Sequence, residues 1–236
     1  MTPRTADEAY AVQDAFVRMK ARYCGRVTGH KIALTTPRMR AMVGLETPIG
    51  GQLHQRQVVR GPASVQAAQY GRLIVEFEIG MQIAHDLPSE RAPVTMGQAA
   101  DAVGAVMPAL ELADDRNADY ATLSARGLEL AADNAWNEGA VLGAPVDDWR
   151  DVDLAGLRGI ALINGTVVGE GRGADSMGHP LAALAWVANH LAGRGQGLRR
   201  GDVVITGSLV TSKFPRSGDL VRFEAGALGA VELQVT

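Results

Sequence analysis

The segment LIVEFEIGMQI, residues 73–83, restricts the fold more than any other part of the sequence. In an extended strand, successive side chains point to opposite faces of a sheet. Phe77 and Ile79 then share one face, and Glu76 and Glu78 share the other. This alternation predicts a strand with one apolar face against a core. The two glutamates either face solvent or point together at a positive charge.

Three segments have the residue pattern of helices: residues 5–24, a segment near 97–106, and HPLAALAWVANHLAG. Thr5 and Glu8 have the spacing of a capping box at the start of the first helix. Pro180 fits the first turn of the last helix. Apolar side chains recur at steps of three and four in the first helix and predict a stripe that packs inward, formed by Ala9, Val12, Phe16, Met19 and Tyr23.

The second half of the chain mostly has the pattern of β-strands. A strand is also expected at HKIAL, and Pro108 is expected to separate the second helix from a short strand at ALEL. Further strands are predicted at EGAVLG, GIALINGTVVGEG with an Asn-Gly turn at 164–165, DVVITGSLV, DLVRFEA and GAVELQV. The sequence therefore predicts an α+β fold. Residues 1–70 supply a helix and short strands, packed on a β-rich core of residues 71–236.

The charge balance argues against nucleic acid or a membrane surface as a partner. There are 23 basic and 26 acidic residues, giving a net charge of -3 with no long run of either sign. No apolar run is long enough to cross a bilayer, and the N-terminus lacks the apolar region of a signal peptide. The single cysteine, Cys24, excludes an internal disulfide and fits a reducing compartment. We therefore expect a cytoplasmic protein that acts on a small molecule.

Several common catalytic motifs are missing from the sequence. The glycine-rich segment GEGRGADSMG matches neither the dinucleotide fingerprint nor a phosphate loop. No Gly-x-Ser-x-Gly motif occurs, and the five histidines include no His-x-x-x-His pair. These absences disfavour nucleotide binding, covalent acyl chemistry and zinc hydrolysis of the common helical type.

The acidic residues allow a metal site. Glu76 and Glu78 lie about 7 Å apart on one face of a strand, so both can reach one hard cation that takes oxygen ligands. Glu111, between Leu110 and Leu112, is a candidate for a third ligand. The alternatives are a solvent-facing strand for the first pair and simple alternation on an edge strand for Glu111. The residues alone leave both alternatives open.

A series of motifs, in order, resembles the 2-keto-4-pentenoate hydratase family. They are GHKIALT, VEFEIGMQIAHDL, MPALELADDR, ADNAWNEGAVLG, GRGADSMGHPLAALAWVANHLAGRGQGLRRGDVVITGSL and GDLVRFEAGALGAVELQV. That family includes 2-oxohept-4-ene-1,7-dioate hydratase and 4-oxalocrotonate decarboxylase and lies within the fumarylacetoacetate hydrolase superfamily. The resemblance implies a mixed β-roll core of the C-terminal-domain type found in that superfamily.

The resemblance also implies a set of site residues. Mg²⁺ or Mn²⁺ is expected at Glu76, Glu78 and Glu111, and Lys31 matches the active-site lysine of the family. A 2-oxo acid substrate is expected to chelate the metal through its carboxylate and 2-oxo oxygens. Backbone amides of the loop Thr206, Gly207 and Ser208 are expected to hold the substrate carboxylate. A homo-oligomer is implied, or a complex with a related enzyme.

The match departs from the family at two places. The stretch IGGQLHQRQVV has no carboxylate where family hydratases have an acidic residue. His54 is then a candidate acid or base, and Arg56 a candidate partner for a second substrate carboxylate. Ala174 stands where a hydroxyl residue is usual, with Ser176 nearby.

The expected function is a metal-dependent hydratase acting on 2-hydroxypenta-2,4-dienoate or a similar 2-oxo acid. The departures keep two alternatives open. One is a 2-oxo acid decarboxylase or tautomerase that uses the same enolate, and the other is a non-catalytic partner subunit.

Overall fold

Two β-sheets form the body of the protein in the computed structural model, which describes residues 2–236. The strands are β1 (Val27–Ala33), β2 (Ile49–His54), β3 (Val58–Arg60), β4 (Ala63–Val65), β5 (Leu73–Ile83), β6 (Val103–Asp114), β7 (Asn137–Leu142), β8 (Arg158–Ile163), β9 (Thr166–Arg172), β10 (Val203–Ile205), β11 (Leu220–Ala225) and β12 (Ala230–Val235). The α-helices are α1 (Ala6–Cys24), α2 (Pro37–Met42), α3 (Met96–Ala102), α4 (Gly127–Ala132) and α5 (Pro180–Ala192).

The first sheet has seven strands in the order β2-β1-β10-β5-β6-β7-β3, and the second has five in the order β4-β12-β11-β8-β9. Strands from both sides of residue 70 lie in each sheet, because β1 and β2 join the first and β4 joins the second. This mixed arrangement of helices and sheets agrees with the predicted α+β class. Within residues 2–236, no helix is long and apolar enough to cross a membrane.

β5 lies at the centre of the hydrophobic core, in contact with the second sheet and in one apolar cluster with α5. Phe77, Ile79 and Met81 on its apolar face are fully buried. The Phe77 ring meets the Phe223 ring of the second sheet edge to face, with centroids 5.7 Å apart. Leu184 of α5 belongs to the same apolar cluster. The predicted strand is confirmed, but its other face is also buried for most of its length, so it is no half-exposed strand.

The predicted inward stripe of α1 is correct at Ala9 and wrong for the rest of the helix. The buried side chains of this helix are Ala9, Gln13 and Val17, whereas Met19 is 63% exposed and Tyr23 is 78% exposed. Gln13 explains the rotation of the helix, because its amide nitrogen donates to the Gly50 and Ala131 carbonyls at 2.9 and 2.7 Å. A polar side chain that satisfies two buried carbonyls is stable in the core.

The second predicted helix ends earlier than expected. α3 stops at Ala102, and β6 then runs without interruption through Pro108. Pro108 lies opposite Ile79, whose carbonyl accepts a bond from the Thr206 N–H on the other side of β5. Bonding directions alternate along a strand, so the missing N–H of Pro108 removes no bond between β5 and β6. This is why a proline is tolerated inside a central strand.

Candidate metal centre

Three carboxylates converge on the paired strands β5 and β6. Glu76 lies directly opposite Glu111 in the antiparallel register, and Glu78 is two residues further along the same face of β5. One oxygen from each of the three carboxylates lies within 4.8 Å of the others. Glu78 and Glu111 are fully buried, and Glu76 is partly buried. The structure thus brings together the three acidic residues that the sequence analysis singled out.

Each carboxylate is oriented by a neighbouring donor. The Ser212 hydroxyl donates to Glu76 Oε1 at 2.6 Å, and the Gly207 N–H donates to Glu78 Oε2 at 2.6 Å. Glu111 Oε1 accepts from the Asn137 side-chain amide at 2.9 Å, and also from a lysine described below. The second oxygens of Glu78 and Glu111 are buried and find no partner within residues 2–236.

The electrostatics of the cluster favour a bound cation. The pKa of Glu78 lies well above its ordinary value, because burial disfavours the charged form and Glu111 and Glu76 add like charge. Burial also raises the pKa of Glu111, although Lys31 and the Asn137 bond oppose the rise. Partnerless buried carboxylate oxygens are unfavourable, and a hard divalent cation takes oxygen ligands of this kind. The residues present therefore fit Mg²⁺ or Mn²⁺.

Lys31 is buried beside the carboxylates. Its ammonium nitrogen lies 2.7 Å from Glu111 Oε1 and 3.4 Å from the Ala135 carbonyl oxygen. Burial alone lowers the pKa of Lys31, but the three carboxylates outweigh burial and raise it, so the side chain is an ammonium. Gly51 on the neighbouring strand β2 makes room for the lysine stem, because a Cβ there would lie 2.9 Å from Lys31 Cγ and Cδ.

An unusual backbone segment carries the Ala135 carbonyl to Lys31. Asn134, Ala135 and Trp136 all have positive φ, at 52°, 49° and 61°. Such residues cost roughly 1–3 kcal/mol each and persist only where the surroundings fix them. The Asn134 side chain provides that restraint, because it accepts from the Gln52 N–H at 2.7 Å and donates to the Gln52 carbonyl at 2.9 Å.

The loop after β10 is fixed to β5 by two hydroxyls. Thr206 Oγ1 donates to the Ile79 carbonyl at 2.9 Å, and Ser208 Oγ accepts from the Phe77 N–H at 2.9 Å. The loop residue between them, Gly207, has a φ of 92°, and its N–H is bonded to Glu78. The loop therefore borders the carboxylates, and its role in holding a substrate carboxylate stays a prediction.

His54 and Arg56, the two candidates from the stretch IGGQLHQRQVV, lie away from the carboxylates. His54 is buried with Nδ1 2.9 Å from the Gly25 carbonyl, and exposed Arg56 donates to the Tyr23 carbonyl at 3.0 Å. His54 pairs with Val27, four residues along β1 from Lys31, which is about 13 Å along the strand. Both side chains thus bond to the end of α1, and the structure does not bring them to the carboxylates.

Sequence reasoning missed the residues that support the ligands. Asn134, Asn137 and Ser212 are ordinary polar residues in the sequence, and only the fold places them beside the site. The two asparagines belong to ADNAWNEG, one of the motifs behind the family resemblance. That motif is the signal that could have identified them. Ser212 follows the Thr206–Ser208 loop without any local pattern.

A cavity of about 110 Å³ opens beside the carboxylates. Lys31, Glu76 and Ser212 form its polar end. The rest of its wall consists of Tyr120 and apolar side chains from α2, β5, β6 and the segment 123–136, together with residues following β1. A small molecule with a polar head and an apolar tail matches this division.

Comparison with known proteins identifies related enzymes. The family model for the C-terminal domain of fumarylacetoacetate (FAA) hydrolase matches residues 35–236. The chain is 30% identical over 228 residues to a 2-keto-4-pentenoate hydratase of Burkholderia vietnamiensis, covering 97% of this chain and 85% of that protein. It is also 30% identical over 231 residues to a 2-oxo-hept-4-ene-1,7-dioate hydratase of Escherichia coli, covering 96% and 85%.

Among solved structures, a 4-oxalocrotonate decarboxylase from Pseudomonas putida G7, complexed with magnesium and adipate, superposes with a TM-score of 0.90. The two chains are 29% identical, and the match covers 98% of this chain and 86% of the decarboxylase. The similarity therefore extends over both sheets, including the paired strands β5 and β6 that carry the three carboxylates.

Proposed function

Because the chain belongs to the fumarylacetoacetate hydrolase family, we propose that it is a metal-dependent hydratase of a 2-hydroxypenta-2,4-dienoate or similar 2-oxo acid. The observation that carries the proposal is the buried cluster of Glu76, Glu78 and Glu111 beside Lys31. A cluster of like charges in the core lowers the stability of the folded protein, and such clusters occur mainly at catalytic and binding sites. The relatives named as hydratases support the reaction class.

We assign the cation, Mg²⁺ or Mn²⁺, to the three carboxylates. Their oxygens are the ligands that these ions prefer, and the magnesium in the related decarboxylase structure supports the choice. When bound, the cation supplies electrostatic stabilisation for the enolate form of a 2-oxo acid. Asn137 and Ser212 hold Glu111 and Glu76 in orientation through their observed hydrogen bonds.

Lys31 is assigned to the substrate rather than to the cation. Its ammonium is held in a buried position by Glu111 and by the Ala135 carbonyl. A fixed ammonium can pair with an anionic substrate oxygen and can hold or release a proton next to it. The Thr206–Ser208 loop is assigned to the substrate carboxylate with the Ser208 N–H as donor, because the Thr206 and Gly207 N–H groups already donate to the Ile79 carbonyl and to Glu78. His54 and Arg56 have no part in this assignment.

Decarboxylation of a 2-oxo acid is the second candidate. The similarity to 4-oxalocrotonate decarboxylase over 98% of the chain supports it, and both reactions pass through an enolate that the same residues stabilise. The non-catalytic subunit has less support, because a subunit without chemistry gains nothing from a buried lysine and three buried carboxylates.

One experiment separates these functions. The protein is stripped with a chelator, reloaded with Mg²⁺ or Mn²⁺, and incubated with 2-hydroxypenta-2,4-dienoate and, separately, with 4-oxalocrotonate. Proton NMR identifies the products. A hydratase forms the 4-hydroxy-2-oxo acid from the dienoate, whereas a decarboxylase releases CO₂ from 4-oxalocrotonate. Failure to convert either substrate in the reloaded protein contradicts the proposal and favours the subunit.

We also propose that the enzyme is a cytoplasmic homo-oligomer. The single cysteine supports a reducing compartment, and the exposed Met19 and Tyr23 on α1 support contact with a second copy. Light scattering of the purified protein tests the assembly, and a monomeric mass at micromolar concentration contradicts it.

A further inference from the structure

We propose that the active site selects a monocarboxylic 2-hydroxydienoate with a short uncharged tail and rejects dicarboxylic homologues. This inference rests on the proposed function and names the substrate class for the same site. It distinguishes between the two hydratases compared above. The pentenoate in the name of one carries one carboxylate, and the heptenedioate in the name of the other carries two.

The polar and apolar parts of the cavity lining match a substrate with a polar head and an apolar tail. Lys31, Glu76 and Ser212 lie at one end, where the head of a 2-oxo acid meets the metal ligands. The tail faces a wall of apolar side chains, made up of Ala33, Leu34, Met39, Met42, Val43, Ile74, Ala113, Leu123, Leu130, Ala135 and Trp136. A hydrocarbon tail gains free energy from this wall in proportion to the area it buries.

The cavity offers no cation to a second carboxylate. Among the residues that line it in the described chain, Lys31 is the only basic one, and it already belongs to the head group. Three arginines in the surrounding segments are held in ion pairs, namely Arg72 with Asp115, Arg116 with Asp133 and Arg126 with Glu129. Arg38 of α2 is exposed and does not line the cavity. Arg40 of α2 donates to the Leu34 and Thr35 carbonyls at 3.2 and 3.3 Å.

The hydroxyl groups on the wall are also engaged. The Tyr120 hydroxyl donates to Asp115 at 2.9 Å, and the Ser212 hydroxyl donates to Glu76 at 2.6 Å. A second carboxylate would therefore find no partner on this wall. Burying an unpaired charge is among the largest penalties in binding.

The size of the cavity gives a second reason. Its volume of about 110 Å³ is smaller than the ~150 Å³ apolar cavity that holds one benzene molecule. The three carbons beyond the 2-oxo group of a pentadienoate fit this space, and one further methyl group fits as well. We expect a tail with an extra carboxymethyl group to exceed this space.

The test compares kcat/KM for three substrates with the Mg²⁺-loaded protein: 2-hydroxypenta-2,4-dienoate, 2-hydroxyhexa-2,4-dienoate and 2-hydroxyhepta-2,4-diene-1,7-dioate. We expect values within about tenfold of each other for the two monocarboxylates. The dioate is expected to react at least about 100-fold more slowly, because its second charge is left unpaired. A dioate that reacts as well as the pentadienoate overturns the inference and leaves the hydratase function intact.

A variant with a matched control tests the cause. Met42 lines the cavity and is 49% exposed at the end of α2, so Met42→Arg can place a cation at the tail end without disrupting the core. We expect this change to raise kcat/KM for the dioate at least about tenfold. Met96, 46% exposed at the start of α3 and outside the cavity, provides the control. Met96→Arg should leave the ratio between substrates unchanged, and an equal gain in both variants contradicts the inference.

A binding measurement separates the inference from the proposed function. Calorimetry compares 2-oxopentanoate with 2-oxoadipate, two saturated acids that need no turnover, on the Mg²⁺-loaded protein. We expect the monocarboxylate to bind at least about 100-fold more tightly. If this preference holds while no dienoate is converted, the hydratase proposal fails and the selectivity stands. Equal or tighter binding of 2-oxoadipate overturns the selectivity.

Discussion

Replacing Glu78 by glutamine separates two effects of the carboxylate cluster: its destabilisation of the metal-free fold and its binding of the metal. Glu78 is fully buried, and one of its oxygens has no partner. Glutamine has the same shape, so its oxygen can keep the bond from the Gly207 N–H. Its amide nitrogen takes the place of the partnerless oxygen, and we expect it to donate to Glu111, because one oxygen of each carboxylate in the cluster lies within 4.8 Å of the others. The substitution thus removes one buried charge and satisfies two polar atoms.

The size of the effect follows from these contacts. A buried polar group without a partner costs about 1–3 kcal/mol, so the metal-free variant should be about 2 kcal/mol more stable than the native protein. For a chain of this length that is a rise in Tm of about 4–8 °C. The same change removes a metal ligand. Since even outer-shell substitutions cost 10- to 100-fold in metal affinity, we expect a loss of at least about 100-fold here.

Differential scanning calorimetry with chelator and with excess Mg²⁺ measures both effects. The native protein should be stabilised by Mg²⁺, and the Glu78→Gln variant should gain stability without the ion and respond little to it. Glu90→Gln, at an exposed position outside the site, is the matched control and should behave like the native protein. A destabilised variant with an undiminished Mg²⁺ response refutes the reasoning.

Three further predictions concern support of the site and pH. Gly51→Ala should push the Lys31 stem away and lower kcat at least about tenfold with metal affinity retained, because the added Cβ would lie 2.9 Å from that stem; unchanged turnover contradicts this role. Asn137→Ala should weaken Mn²⁺ binding about 10- to 100-fold, measured by titration calorimetry, and equal affinity contradicts the support assigned to it. Burial lowers the pKa of His30 and of His190 to about 4. Both are neutral in the fold while the unfolded chain takes up protons below about pH 6.5, so stability should fall as the pH drops from about 6.5 to 4. His190→Phe should reduce this slope in urea titrations at several pH values, and an unaltered slope contradicts the assignment.

Local alternation predicted which face of β5 carries Glu76 and Glu78, and the family resemblance predicted that Glu111 joins them. The period of two along β5 correctly placed Glu76 and Glu78 on one face, and strand pairing brought Glu111 opposite Glu76. The Asn-Gly turn is likewise confirmed, since Asn164 and Gly165 have the positive φ values that a tight hairpin needs.

Structural features that depend on contacts between residues far apart in the chain could not be predicted from the sequence. The rotation of α1 is set by Gln13, whose two acceptors lie 37 and 118 residues away along the chain. Pro108 fits inside β6 because its missing N–H faces away from β5, the side on which its carbonyl accepts from the Gly143 N–H. The left-handed segment at Asn134 is held by Gln52, a contact across 82 residues. No local sequence pattern predicts any of these three features.

We propose that the three carboxylates hold one divalent cation on which hydration depends. The most direct test titrates Mn²⁺ into chelator-treated protein, following free Mn²⁺ by electron paramagnetic resonance and loss of the dienoate absorbance in the same samples. We expect one ion bound per chain, with the hydration rate rising in proportion to occupancy, and neither effect in Glu78→Gln. A full hydration rate in the metal-free protein, or unchanged Mn²⁺ binding in that variant, contradicts the role assigned to the carboxylates.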